Sequence, residues 1–231
     1  MDTSKHNDVF NPSKFRGAIA VVGVGSLGSA VALQLAKLGL SDRMTLYDAD
    51  LVEPHNLPNQ ILYGPGDVGE YKVIAATEAI HKLTGSSGGW ASEHVTTMRQ
   101  LDYMSHVFVC VDSMSTRMAI FNNCILYNPV ITYYAEGRIG ARTVMTNGFN
   151  PQDMKKAREY RERLYPDEDV ADDVGGCGMT LSIGATAMMA ACRMVWQFFN
   201  HFNPKPNGQL PAYEEIAFRA DTLEVQSRGW L

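Results

Sequence analysis

Apolar positions along this chain change their period several times, and the changes lay out its elements. Residues 18–24 form a continuous apolar run, rich in β-branched side chains, that enters a glycine turn; this is the pattern of a buried parallel strand. After the turn, Leu27, Ala30, Val31, Leu33 and Leu38 recur at helical spacing, and Gly39 is placed to close that helix. Met44–Tyr47 predicts a second strand with Asp48 at its carboxyl end, and Val73, Ala76, Ile80 and Leu83 mark an amphipathic helix. Residues 92–98 read as a weak strand, 106–111 as a clear one ending near Asp112, 116–126 as a helix and 130–134 as a fifth strand. Such alternation predicts an α/β fold, a Rossmann-like, mostly parallel sheet flanked by helices.

The pattern then changes. Residues 152–173 are charged and polar, and predict a short helix followed by a loop through Gly175, Gly176 and Gly178. Residues 180–199 are apolar over a length that approaches a membrane span, but Arg193 and Gln197 interrupt them, so a buried globular helix is expected. Residues 216–228 alternate about Asp221 and Thr222, which predicts a C-terminal β-hairpin extension. The expected organisation is a single domain over 1–231, with a core of about 18–200 and an extension over 201–231.

Bulk properties narrow the class. A hydrophobic content of 45% with 19% charged residues is ordinary for a globular protein. The net charge of -5, with no Lys/Arg cluster, argues against binding to duplex nucleic acid. Cys110, Cys124, Cys177 and Cys192 form no C-x-x-C pair, so neither a structural zinc site nor a disulfide framework is expected. The first 17 residues lack the apolar core of a signal peptide, and a cytoplasmic, membrane-free protein is the expectation. Cys110, Cys124 and Cys192, with Met188, Met189 and Met194, are read as core residues.

The chemistry begins at Gly23-Val24-Gly25-Ser26-Leu27-Gly28, a G-x-G-x-x-G turn between strand and helix. Its glycines permit a tight turn and close approach of phosphate to backbone, and the N–H groups opening the helix face that phosphate. Asp48 lies 20 residues after Gly28, where a carboxylate accepts from ribose hydroxyls. These features alone do not separate NAD, FAD, S-adenosylmethionine and ATP.

The next segment does separate them, by resemblance. Asp48-Ala49-Asp50-Leu51-Val52-Glu53, then Asn56-Leu57 and Gln60, then Asp67-Val68-Gly69 and Lys72 resemble the E1-like adenylyltransferases of the ThiF and MoeB type. Cys110-Val111-Asp112 with Arg117, and Glu136-Gly137-Arg138-Ile139-Gly140, extend the likeness, which covers roughly residues 18–200. The resemblance implies ATP and Mg²⁺ as cofactors and a carboxylate substrate, the C-terminus of a small ubiquitin-like or sulfur-carrier protein. It also implies a homodimer. Asp48 would hold the ribose, Asp50, Asn56 and Gln60 would line the nucleotide pocket, Lys72 would neutralise phosphates and Asp112 would hold the metal. Cys177, in a Gly-Gly-Cys-Gly loop, matches the region where some relatives carry the thiol that takes the activated carboxylate.

Each residue type also has a structural use: Asp112 as a helix cap, Lys72 as a solvated helix residue, Asn56 as a turn residue. Two departures from the family pattern stand out. Asn59 occupies the place of an arginine that reaches the triphosphate, and the N-terminal basic element is missing, with Lys14 or Arg16 in its vicinity. Arg117 and Arg138 are the substitutes that the sequence offers for phosphate contact. The departures leave two other readings: a catalytically weakened nucleotide- or protein-binding scaffold, and an NAD-dependent oxidoreductase resting on the glycine turn and Asp48 alone.

Overall fold

A computed structural model describes residues 1–166 and 183–202, and residues 215–219 and 225–228 as strand backbone. Strand β1 (Ile19–Val22) enters the glycine turn, and α1 (Ser26–Leu35) leaves it. A wide helical turn then closes at Gly39, whose φ of 86° lies in the left-handed region that glycine adopts without a Cβ penalty. Strand β2 (Met44–Tyr47) follows as expected, then α2 (Lys72–Thr84), which Gly85 caps at φ 77°. Next come β3 (Gly89–Ala91), β4 (His106–Val109), α3 (Met114–Ile120), β5 (Tyr133–Ile139) and β6 (Thr143–Phe149). Helices α4 (Met154–Glu162) and α5 (Gly184–Phe202) precede the hairpin of β7 (Glu215–Arg219) and β8 (Val225–Arg228).

The sheet runs β3-β2-β1-β4-β5-β6-β7-β8. Its first five strands are parallel and the last three antiparallel, so the Rossmann-like expectation holds and the C-terminal hairpin extends the same sheet. Strand order reverses at β1, which pairs with β2 on one side and β4 on the other. The connections leave in opposite directions there and open a crevice beyond the carboxyl ends of β1 and β4, where ligands of such sheets bind.

Period-two alternation divides each central strand between two cores. Ile19, Val21, Phe108, Tyr133 and Ala135 pack with α1, α2 and α5, while Ala20, Val22, Val107, Val109 and Tyr134 pack with α3 and α4. Ahead of β1, Phe10 and Phe15 are fully buried against Phe198 and Phe202 of α5. Burying each ring stabilises the fold by roughly 2–3 kcal/mol.

Several elements differ from expectation. The third strand lies at Gly89–Ala91, not 92–98. Position 88 approaches β2 so closely that a Cβ there would sit 1.9 Å from the Met44 carbonyl oxygen, so glycine brings this short edge strand into place. The fifth strand starts at Tyr133 and runs on through the Glu-Gly-Arg segment, and β6 had no expectation at all. Helix α5 is apolar but not buried all round: Trp196 and Cys192 are exposed, which corrects the core assignment of Cys192. Met194 is fully buried, and Met188 and Met189 partly. No helix among the described residues is long and apolar enough to cross a membrane.

Candidate functional site

The crevice is built first by glycines. Gly23, at φ 83°, packs its α-carbon against the carboxyl end of β4, where a Cβ would lie 3.0 Å from the Cys110 carbonyl oxygen. At Gly28 a Cβ would fall 1.8 Å from the Gly23 carbonyl oxygen, so only glycine lets α1 seat on the end of β1. Gly25 is the N-cap of α1 and offers no side chain to its first N–H groups. Those donors, at the positive end of the helix dipole, are therefore open to an anion.

Asp48 braces this turn. One carboxylate oxygen accepts from the Val24 N–H at 2.7 Å and the other from the Asp50 N–H at 2.9 Å. Tyr63 completes the brace by donating its hydroxyl to the Val24 carbonyl at 2.6 Å. Burial, with the nearby Asp48 charge, raises the Tyr63 phenol well above its ordinary range and keeps it a donor.

Lys72 opens α2 and is buried, with its ammonium 2.8 Å from a carboxylate oxygen of Asp50. It is thus not the solvated residue that its type alone allows. The Asp50 side chain is 62% exposed, so the acid lies at the water boundary and the lysine behind it. Asn56 serves the structural use: its side-chain oxygen accepts from the Glu53 N–H at 2.9 Å and caps the turn Pro54–Asn56. Gln60 is buried beside Gly25, and its side-chain oxygen meets no hydrogen-bond donor among the described residues. A buried acceptor without a donor costs roughly 1–3 kcal/mol, which a ligand donor would recover. Asn59 sits beside the turn, where its carbonyl oxygen accepts from the Ser26 hydroxyl at 2.8 Å.

Across the crevice, Asp112 follows β4 and is exposed, with one carboxylate oxygen accepting from the Ser113 N–H at 2.8 Å. It is not the cap of α3; Ser113 is, accepting from the Thr116 N–H. Its carboxylate stays turned to solvent. Among the described residues no group of three His, Cys, Asp or Glu side chains gathers for a metal. A single carboxylate suits Mg²⁺ that arrives on phosphate oxygens and keeps several waters. Cys110, next to the turn, is buried and its thiol is pushed up to about 12 by that burial, so it is packing and not a nucleophile. Cys177 lies outside the described residues.

The basic groups that the sequence offered for phosphate contact are placed elsewhere. Arg117 is 1% exposed and gives its guanidinium to Glu136 at 2.8 Å. Arg138 binds the same carboxylate at 3.0 Å and lies over the Tyr165 ring. Arg16 lines a cleft with Arg43 and Tyr103 at the amino ends of β1 and β2, the opposite edge of the sheet from the glycine turn. Sequence reasoning missed Tyr63, Ser26 and Asn147, the last of which donates to Glu136 at 2.6 Å. None of the three carries a local motif; only the position of the turn marks Ser26.

Comparison with known proteins agrees with this architecture. The chain is 30% identical over 219 residues to the adenylyltransferase and sulfurtransferase MOCS3 of Bos taurus, covering 91% of this chain and 46% of that protein. It is 33% identical over 144 residues to MOCS3-1 of Zea mays, covering 59% and 30%. The chain thus spans less than half the length of these curated relatives. Among solved structures it superposes on PaaA with a TM-score of 0.70 at 18% identity, covering 92% of this chain and 72% of that one. The E. coli MccB structure with ATP gives 0.65 at 15% identity, covering 92% and 63%; both likenesses concern the fold. The ThiF family pattern matches residues 14–228, nearly the whole chain, and with the glycine turn, the acid pair and the helix-opening lysine in one crevice, the protein belongs to the ThiF family.

Proposed function

We propose that this chain, as one adenylation domain acting in a cytoplasmic homodimer, adenylates the C-terminal carboxylate of a small ubiquitin-like or sulfur-carrier protein with Mg·ATP. The observation that carries the reading is the convergence of an uncapped helix N-terminus, a buried lysine and an exposed carboxylate at one switch point. In the reaction a carboxylate oxygen attacks the α-phosphorus of ATP as the bond to pyrophosphate breaks. The protein supplies placement and charge more than covalent chemistry.

In this reading the N–H groups of Gly25 to Leu27 receive phosphate, and Asp48 holds the ribose from the position fixed by Val24. Gln60 offers its buried oxygen to the nucleotide, and Lys72 exchanges Asp50 for a phosphate oxygen. Asp112 would hold the Mg²⁺, which would supply charge neutralisation on the phosphates. Cys177 is the thiol that would take the activated acyl group as a thioester, its sulfur displacing AMP from the adenylate; a thiocarboxylate would need a sulfur atom delivered by a separate persulfide donor.

The test is exchange of labelled pyrophosphate into ATP, with a panel of carrier proteins ending in a free carboxylate. Exchange that requires both Mg²⁺ and a carrier is the expected result; its absence with every carrier sinks the reading. Asn59 favours a second reading, a nucleotide-binding scaffold without turnover, because an amide supplies neither the charge nor the fork of an arginine. That reading gives ATP binding with no exchange. NAD binding without ATP binding would instead return the chain to the oxidoreductases.

A further inference from the structure

The segments Cys110-Val111-Asp112 with Arg117, and Glu136-Gly137-Arg138, lie about 20 residues apart in sequence and meet in one buried cluster. Glu136 is fully buried on β5, inside a protein whose interior penalises an unpaired charge severely. Its carboxylate is satisfied on both oxygens: Arg117 at 2.8 Å and the Arg138 Nε at 3.3 Å on one, Asn147 at 2.6 Å and the Arg138 Nη2 at 3.0 Å on the other. Arg117 in turn uses its remaining fork on the backbone. Its Nη2 donates to the carbonyl oxygens of Val111 and of Gly137, the latter at 3.1 Å.

The Val111 contact is the informative one. The carbonyl of residue 111 and the nitrogen of residue 112 belong to one rigid peptide plane. Holding that oxygen therefore sets the direction in which the chain enters Asp112, the exposed carboxylate at the mouth of the crevice. Asp112 belongs to no regular element and is exposed, and the restraint on its side chain among the described residues is the hydrogen bond it accepts from the Ser113 N–H at 2.8 Å. A fork is needed for this, because a lysine ammonium reaching Glu136 lacks the planar second arm that spans to the carbonyls.

We infer, on the adenylation reading above, that Arg117 is a positioning residue: anchored by Glu136 and Asn147, it orients the Val111–Asp112 peptide so that Asp112 meets the metal carried by ATP. The cluster is thus a strut between β5 and the metal-facing loop, and not a phosphate contact.

Titration calorimetry of ATP, in EDTA and in Mg²⁺, tests this on the wild-type chain and three variants. Glu136→Gln keeps the shape and removes the anchoring charge. Arg117→Lys keeps the charge and removes the fork. The double variant Arg117→Met with Glu136→Met removes the fully buried charges together and leaves Arg138, which is partly exposed and over the Tyr165 ring, without its carboxylate, so the variant's melting temperature is read alongside. In the wild type Mg²⁺ strengthens ATP binding. The expected result is that each variant that melts cooperatively keeps its metal-free ATP affinity within about twofold while the Mg²⁺ enhancement falls at least fivefold. Folded variants with an undiminished enhancement overturn the inference and leave the pair a matter of stability. Equal losses with and without metal overturn it too, since they report general damage. Wild-type protein that binds no ATP under either condition removes the adenylation reading itself, an outcome seen before any variant is compared.

Discussion

Lys72 and Arg117 each meet a carboxylate at 2.8 Å, one on either side of the same crevice, and they differ in what surrounds the acid. Asp50 has a side chain 62% exposed, so water takes over its solvation whenever the lysine leaves. Glu136 has none of its surface exposed, and losing Arg117 would leave its charge to Arg138 and Asn147 where water does not reach. The first pair is built to exchange its partner and the second to keep it. A short cation–carboxylate distance therefore says little about use until the exposure of the acid is known. On the adenylation reading proposed above, the lysine serves as a ligand group, while the arginine is part of the frame.

The largest expected effect breaks the second pair. Arg117→Ala should lower unfolding free energy by about 3–5 kcal/mol, measured by denaturant melts, because it leaves Glu136 buried and short of its main partner. Lys72→Ala should cost about 1 kcal/mol or less in the same assay. Equal losses would erase the distinction.

Acid provides an independent scale for what burial does to charge. His106 is packed among Phe15, Tyr133 and Phe198 with its Nδ1 2.8 Å from the Ser105 hydroxyl, and burial, helped by nearby His201, lowers its pKa from 6.5 to about 4. The unfolded chain then binds the extra proton between those values and the folded chain does not. Stability contributed by neutral His106 is complete above about 6.5 and falls as pH drops toward about 4, by about 3 kcal/mol in all. His106→Phe should flatten that slope in pH-dependent melts, while a retained slope would assign the acid sensitivity elsewhere.

The smallest effects sharpen the first pair. Lys72→Met should slow carrier-dependent exchange about 10²-fold, the usual scale for removing one group that stabilises transition-state charge. Asp50→Asn should change it only about threefold, since the lysine keeps its place while giving up an exposed partner. If the aspartate matters as much as the lysine, Asp50 contacts the reacting groups directly.

How much was legible follows from which interactions are local. The glycine turn, β1, β2 and α2 were readable because their signals, periodicity and the demand for glycine at Gly23, Gly28 and Gly39, are settled within a few residues. Strand β6 escaped notice because Asn147-Gly148 reads as a turn pair, and only pairing with β5 makes it extended. Cys192 escaped because an apolar helix does not record which of its faces is covered; α1, β5 and β6 take one face of α5 and leave Trp196 and Cys192 outside. Asn56 carries a cap through its side-chain oxygen, a local use that sits beside the nucleotide-pocket place implied for it by the family resemblance.

The sequence by itself determined the class of fold and the crevice, since short-range periodicity and motif spacing encode them, while the set of polar residues around the crevice was implied by the family resemblance. The tertiary structure decided their roles. Two cations of similar standing in sequence acquire different meanings because one partner acid ends in water and the other inside the protein. The free energy of a charge depends on the solvent and dipoles around it, and those are assembled from residues far apart in the chain.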